Sequence, residues 1–445
     1  MPIISASTQA RHEGYFRLEW HLAEQRSHLI ARGRPLIVPV SIDQTTDADA
    51  LVPDAFLAVQ WMRLAGGEAP AAFCERVKKL LAGDPAEVFA LQEELALAIV
   101  SELRGQLGGA GNAAAVKAAV KGGTTNPEAH QQYLQGRYFL GRFSVENMAR
   151  AISCFERATS LDPNFALAWA ALARTHALHV GWADQLTRQQ FEAELAVARQ
   201  TAAHALELEP DLPEALNARF EIQFNYDFDW KGAAETLRRN RALAHSDPIV
   251  LGAASRVASI YGDRAGALDL ARQAVALDPV NSEMRVYLGF ALLQTGQWPE
   301  ARAEFARVAE LNPTTPWAYA GTGLAYLYEG KYAEAITASK SETTDFAGLL
   351  VNAIALWGLK DTAGADAALA RIIKEDADVG AYQIAEIYGF RGDHDQALAW
   401  LDRAHRQRDA GLATFPNDPF LAGLHDDPRW VVFQRAMGLT DQQLK

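Results

Sequence analysis

The chain has 445 residues, 49% of them apolar, which is longer than one compact core usually serves and too apolar for a disordered polymer, so two or more folded units are expected. A formal net charge of −13 leaves no general attraction for nucleic acid or an anionic membrane, both of which call for a basic face. Cys74 and Cys154 are the only cysteines, far apart and outside any C-x-x-C pattern, which argues against a disulfide framework and a zinc site and fits a reducing cytoplasm.

The opening Met1, Pro2, Ile3 and Ile4 include no basic region, and no later segment approaches about 18 consecutive apolar residues, so neither secretion nor membrane insertion is expected. Ile3 and Ile4, residues 36–42 and residues 59–64 are short apolar runs of the kind buried in parallel sheets. Helical stretches at 11–31 and 70–81 alternate with them, which predicts a small, incomplete α/β unit over residues 1–85. On the first of these helices His21, Glu24 and His28 share one face at metal-ligand spacing, but no third strong ligand joins them, and a polar outer face explains them; His176 and His179 are read the same way. No metal site is assigned.

Residues 86–125 read as a connecting helix and linker. Val88, Leu91, Leu95, Ala98, Ile99 and Leu103 recur at helical spacing, and two glycine-bearing stretches, 105–111 and 122–125, flank an Ala-rich helical piece. These glycines neither follow a strand nor open a phosphate-binding turn.

Beyond the linker a punctuation mark recurs: Leu161-Asp162-Pro163, Leu208-Glu209-Pro210, Ser246-Asp247-Pro248, Leu277-Asp278-Pro279 and Leu311-Asn312-Pro313. The last two prolines stand 34 residues apart. Between them Leu288, Gly289 and Leu292 belong to a first helix and Ala301, Phe305 and Val308 to a second; Gly289 and Ala301 are small where the helices cross, and Phe305 fills the space between neighbouring units. Each proline ends one helix pair and starts the next. This period and layout resemble the tetratricopeptide repeat (TPR), with about eight units over residues 126–426, an insertion at 180–190 in the second unit, and an amphipathic capping helix in residues 427–445. The expected fold is thus mostly α, a TPR α-solenoid behind the α/β unit.

The resemblance implies a protein-binding scaffold. Positions on each first helix that line the concave groove of such arrays fall here on Glu283, Val286, Phe290 and Leu293, then on Trp317, Ala320, Leu324 and Leu327. That groove would be apolar and aromatic and would suit an apolar protein or peptide segment; tight winding that buries these residues inside the solenoid is the alternative.

Residues 1–81 resemble the C-terminal half of a bacterial TIR (Toll/interleukin-1 receptor) domain, through Pro2-Ile3-Ile4-Ser5, residues 13–20, Ile37-Val38-Pro39-Val40 and Val59-Gln60-Trp61. The flavodoxin-like fold and bacterial signalling are what this resemblance implies, with possible self-association through the edge that the absent first half leaves unpaired. It also places Tyr15 and Glu19 at the spacing of the aromatic residue and glutamate of NAD-cleaving TIR domains, so Glu19 is the candidate catalytic carboxylate for a glycohydrolase whose N-terminal half would precede Met1. An ordinary solvent-facing glutamate near Arg17 and Arg26 is the simpler reading of Glu19; no enzyme and no cofactor is expected, NAD entering only under the glycohydrolase alternative. Residues 88–107 resemble the helix that closes a TolB-like domain ahead of similar arrays in bacterial regulators and adenylate cyclases.

Overall fold

The computed structural model describes residues 122–183, 186–343 and 345–440, and in the N-terminal part the backbone of three two-residue strands. The chain divides into two compact units, Met1–Leu103 and Arg104–Lys445. In the first, β1 (Ile3–Ile4), β2 (Val40–Ser41) and β3 (Met62–Arg63) pair in parallel in that order, Ile3 opposite Val40 and Val40 opposite Met62. All three strands fall within the apolar runs. The helices read between them, Tyr15, Glu19, the His21–Glu24–His28 face, Cys74, the connecting helix and the glycines at 105–111 lie outside the described residues, and no TIR-type unit is shown.

The second unit is built of helix pairs: α1 (Pro127–Leu140) with α2 (Val145–Leu161), α3 (Ala166–Trp182) with α4 (Arg188–Leu208), α5 (Pro213–Ile222) with α6 (Trp230–Leu243), and α7 (Pro248–Ile260) with α8 (Arg264–Leu277). Then come α9 (Ser282–Gln294) with α10 (Trp298–Leu311), α11 (Ala320–Tyr328) with α12 (Tyr332–Ser339), α13 (Asp345–Gly358) with α14 (Thr362–Glu375), and α15 (Ala381–Arg391) with α16 (His394–Gln407). Three 3₁₀ turns, Ala410–Ala413, Phe415–Asn417 and Pro419–Leu424, lead to α17 (Pro428–Ala436). Among the described residues no helix is long and apolar enough to cross a membrane.

The local sequence accounts for the pairs. Gly296 and Gly330, at φ +74 and +73, end a first helix in the left-handed conformation that lets the chain reverse without a Cβ penalty. Several second helices begin on an Asp-x-x-Gly box: the Oδ1 of Asp229, Asp263 and Asp361 accepts from the N–H of Gly232, Gly266 and Gly364 at 2.9–3.0 Å, one orphan donor satisfied each time. The packing follows size. A Cβ at Gly289 would stand 2.6 Å from Phe305 Cζ, and one at Gly321 closer still, so this fully buried ring is held between glycines of two consecutive units. Gly136 receives Phe155 in the same way, and Gly358 receives Tyr332.

Two local expectations change. Trp317 does not lie on a first helix: with φ +65 it sits in the turn before α11, and the Glu342 carboxylate accepts from the N–H of Trp317, Tyr319 and Ala320 in place of a local cap. Pro313 and Pro316 both disfavour helix at the residue before them, which delays the start. Residues 427–445 also do more than cap the last pair. The indole N–H of Trp230 on α6 donates to the Met437 carbonyl at 2.5 Å, and Trp430, Phe433, Met437 and Leu439 share one core with Phe220, Phe224 and Trp230. Arg408 Nη1 donates to the Tyr226 carbonyl at 2.9 Å, and Asn417 Nδ2 to that of Ser259 at 2.8 Å. The array therefore curls until its end meets its third and fourth pairs.

Candidate functional site

This winding encloses a cavity of about 230 Å³ on the inner side of the array, walled by residues of α3, α7, α9, α11, α13 and α15 and by the 3₁₀ turns. Beyond α5 the chain makes a π-helical turn, Gln223–Asp227, with Phe228 left-handed behind it, so that three successive residues, Phe224, Asn225 and Tyr226, all reach the wall. The Tyr226 hydroxyl donates to the Ala177 carbonyl and ties that turn to α3.

Of the expected groove residues, Phe290, Leu293, Trp317 and Leu324 line the cavity. Leu293 and Leu324 are buried, while Phe290 and Trp317 are half-buried and pack edge to face with centroids 5.7 Å apart. Val286, Ala320 and Leu327 are buried in the core between helices and do not reach the cavity. The Glu283 carboxylate is buried against Arg174 of α3 at 2.5 Å. The groove is thus aromatic at its surface, and its floor is taken up by packing within the array.

Polar groups collect at two places. On one wall Arg256 of α7 lies against the rings of Phe224, Tyr287 and Phe220, with its guanidinium carbon 4.6, 5.1 and 5.7 Å from their centroids. Its Nη1 donates to Glu221 Oε2 at 2.8 Å and its Nη2 to Asn225 Oδ1. Burial alone would raise the Glu221 pKa, but Arg256 and Arg174 outweigh it and hold this carboxyl below its ordinary value. The pairs Arg174–Glu283 and Arg256–Glu221 are charge-balanced.

Another part of the wall, formed by α15 and the 3₁₀ turns, is acidic. Tyr382 donates its hydroxyl to Asp418 Oδ2 at 2.6 Å, and Asp418 Oδ1 accepts the Phe420 N–H at 2.8 Å. Asp409 accepts the N–H of Tyr382 and of Gly411, each at 2.9 Å, yet burial lifts its carboxyl to about 6. Burial pushes Glu386 well above the carboxylate range, and the adjoining Asp418 adds to the effect. Glu386 Oε2 and Gln383 Oε1, on side chains only 7% exposed, have no hydrogen-bond partner. None of this was evident in the sequence. The acids come from one repeat and from a segment outside the repeat pattern, and only folding brings them together.

His176 and His179 meet, instead of standing on an outer face: both Nδ1 atoms contact Glu194 Oε1, at 3.0 and 2.8 Å. Burial opposes ionisation of Glu194, but the two imidazole hydrogen bonds prevail and hold its carboxyl at about 2. Both rings spend the same nitrogen on a single oxygen, a tie between α3 and α4; among the described residues no group of three His, Cys, Asp or Glu is arranged to hold a metal ion.

Two tetratricopeptide-repeat family models match the chain, at residues 260–321 and 143–165. No curated protein matches the sequence. Among solved structures, the human IFIT1 dimer with m7Gppp-AAAA is similar at 17% identity and a TM-score of 0.44, over 62% of this chain and 72% of that one. A tetratricopeptide repeat protein from Parabacteroides merdae ATCC 43184 is similar at 14% identity and a TM-score of 0.39, over 57% and 94%. YrrB, a TPR protein with an unusual peptide-binding site, is similar at 19% identity and a TM-score of 0.29, over 48% and 96%. The chain thus contains tetratricopeptide repeats, at residues 143–165 and 260–321, within a second unit of helix pairs wound into an α-helical solenoid.

Proposed function

We propose that this chain is a protein-interaction scaffold whose repeat array holds a segment of a partner protein in the cavity on its inner side. The observation that carries this reading is the cavity wall: half-buried aromatic side chains, Phe290, Trp317, Tyr287 and Tyr328, stand around a space of about 230 Å³. Aromatic anchors in a concave, largely desolvated site are the usual carriers of binding energy. A few apolar side chains of a short segment fit such a space; a folded domain does not. The TIR-like stretches of residues 1–81 support a signalling role in the bacterial cytoplasm for this scaffold, with the first unit as a surface for self-association.

Short peptides selected from a random display library on the full chain test the reading. Their binding is expected to slow amide hydrogen exchange in α7, α9, α11 and α15. Slowing confined to α6, α10, α12 and α14, which contribute no lining residue, would place the binding surface elsewhere and overturn it.

A further inference from the structure

We propose that the acidic wall of the cavity is an anchor for an arginine side chain of the partner segment. The proposal rests on the reading of the array as a scaffold and specifies what its inner site recognises.

Charge is the first argument. Four carboxyl groups, Asp378, Glu386, Asp409 and Asp418, line the cavity, of which Asp378 is paired with Arg403 at 3.1 Å, and Arg256 is its one basic lining side chain among the described residues; that guanidinium is already committed to Glu221 and Asn225. The second argument is unused hydrogen-bonding capacity. Gln383 Oε1 and Glu386 Oε2 are acceptors on cavity-lining side chains more than nine-tenths buried, and neither has a donor. Buried acceptors without donors are uncommon, and a ligand that brings donors recovers the cost of their desolvation. Acceptors alone at a buried site, with carboxyl groups in excess, call for a cation with several N–H groups.

The chain itself displays the matching chemistry. Arg256 is held by a carboxylate, an amide oxygen and aromatic faces. The acidic wall offers the same set, with the carboxyls of Glu386 and Asp418, the amide oxygen of Gln383, and the rings of Tyr328 and Tyr382, while the one guanidinium among the described lining residues, that of Arg256, is bonded to Glu221 and Asn225. A planar guanidinium with five donors meets a divided acceptor set of this kind and stacks on the tyrosines; an ammonium ion uses fewer acceptors and stacks less well.

The experiment titrates the full chain by calorimetry with N-acetyl-arginine amide, with N-acetyl-citrulline amide, which keeps the shape and loses the charge, and with the apolar N-acetyl-leucyl-leucine amide. The arginine amide is expected to bind at least about ten-fold more tightly than the citrulline amide, and Glu386→Gln or Asp418→Asn to remove most of that preference. Glu386→Gln and Asp418→Asn keep the size and shape of the side chains they replace, and circular dichroism checks that the fold is retained. Equal binding of the arginine and citrulline amides, or a preference that survives in both Glu386→Gln and Asp418→Asn, overturns the proposal. If the leucine probe binds and Gln294→Trp, which fills the cavity, abolishes it while the arginine amide does not bind, the anchor fails and the scaffold reading stands. If no probe binds, both fail.

Discussion

Glu386 is the residue on which the electrostatics of the inner surface turns. Asp418 and Asp409 face it from the 3₁₀ turns, and Tyr382 and Tyr328 from α15 and α11; the nearest cations act on its neighbours, His425 on Asp418 and Arg188 on Asp409. Glu386 and Asp409 hold their protons more tightly folded than unfolded, the first well above 4.5 and the second at about 6 against 3.8. The stability they contribute is therefore complete below those unfolded values and is lost as pH rises through 6 and beyond. Glu194, held at about 2 by His176 and His179, has the opposite sign, but its contribution disappears only as pH falls below about 4.5 and leaves the neutral range untouched. Thermal unfolding between pH 5 and 8 is expected to show the wild type losing stability with rising pH and Glu386→Gln losing distinctly less; equal slopes would mean that Glu386 is not the group being titrated. At this scale the sequence said little. Glu386 stands in an ordinary-looking repeat helix and Asp418 in a segment without period, and the reading of His176 and His179 as outward-facing failed because the long α4 lays Glu194 across them.

Helix pairs were far more legible, because their determinants are local and recur. The proline punctuation, the small residues at crossings and the large one between units all appear in the sequence at fixed offsets, and the placement of Phe305 beside Gly289 follows from them. What periodicity did not reveal was the second glycine: Gly321 belongs to the next unit, and its role shows only when the units stack. Ala at an ordinary helix position gains about 0.5–1 kcal/mol over Gly, whereas overpacking a filled core costs about 1–3 kcal/mol. Gly321→Ala is therefore expected to lower stability by about 1–2 kcal/mol in urea unfolding, because its Cβ enters the Phe305 ring. Gly348→Ala on α13, whose Cβ meets only Glu342 at 3.6 Å, is expected to be neutral or stabilising. If both substitutions stabilised, the Phe305 clamp would not be a packing constraint. Trp317 marks the limit of the pattern: its position in the repeat predicts helix, but the prolines before it and the Glu342 carboxylate from the next turn give it another conformation.

The array as a whole gains its cavity from curvature, and curvature is not written at any one position; small rotations between pairs accumulate until distant parts meet. The contacts that close it are long-range, Trp230 with Met437, Arg408 with Tyr226 and Asn417 with Ser259, and each joins the C-terminal segment to the third or fourth pair. Deleting residues 428–445 is accordingly expected to speed hydrogen exchange in α6, some 200 residues away in sequence, as strongly as in α16. An effect limited to α16 would reduce α17 to a simple end cap. Whether the enclosed space is the working surface of the molecule is tested most directly by comparing peptides selected on the full chain for their affinity to wild type and to Gln294→Trp, whose indole occupies the cavity from a half-buried position on its wall. A scaffold that binds through its inner side loses at least about ten-fold in affinity. Equal affinity for both proteins would contradict it.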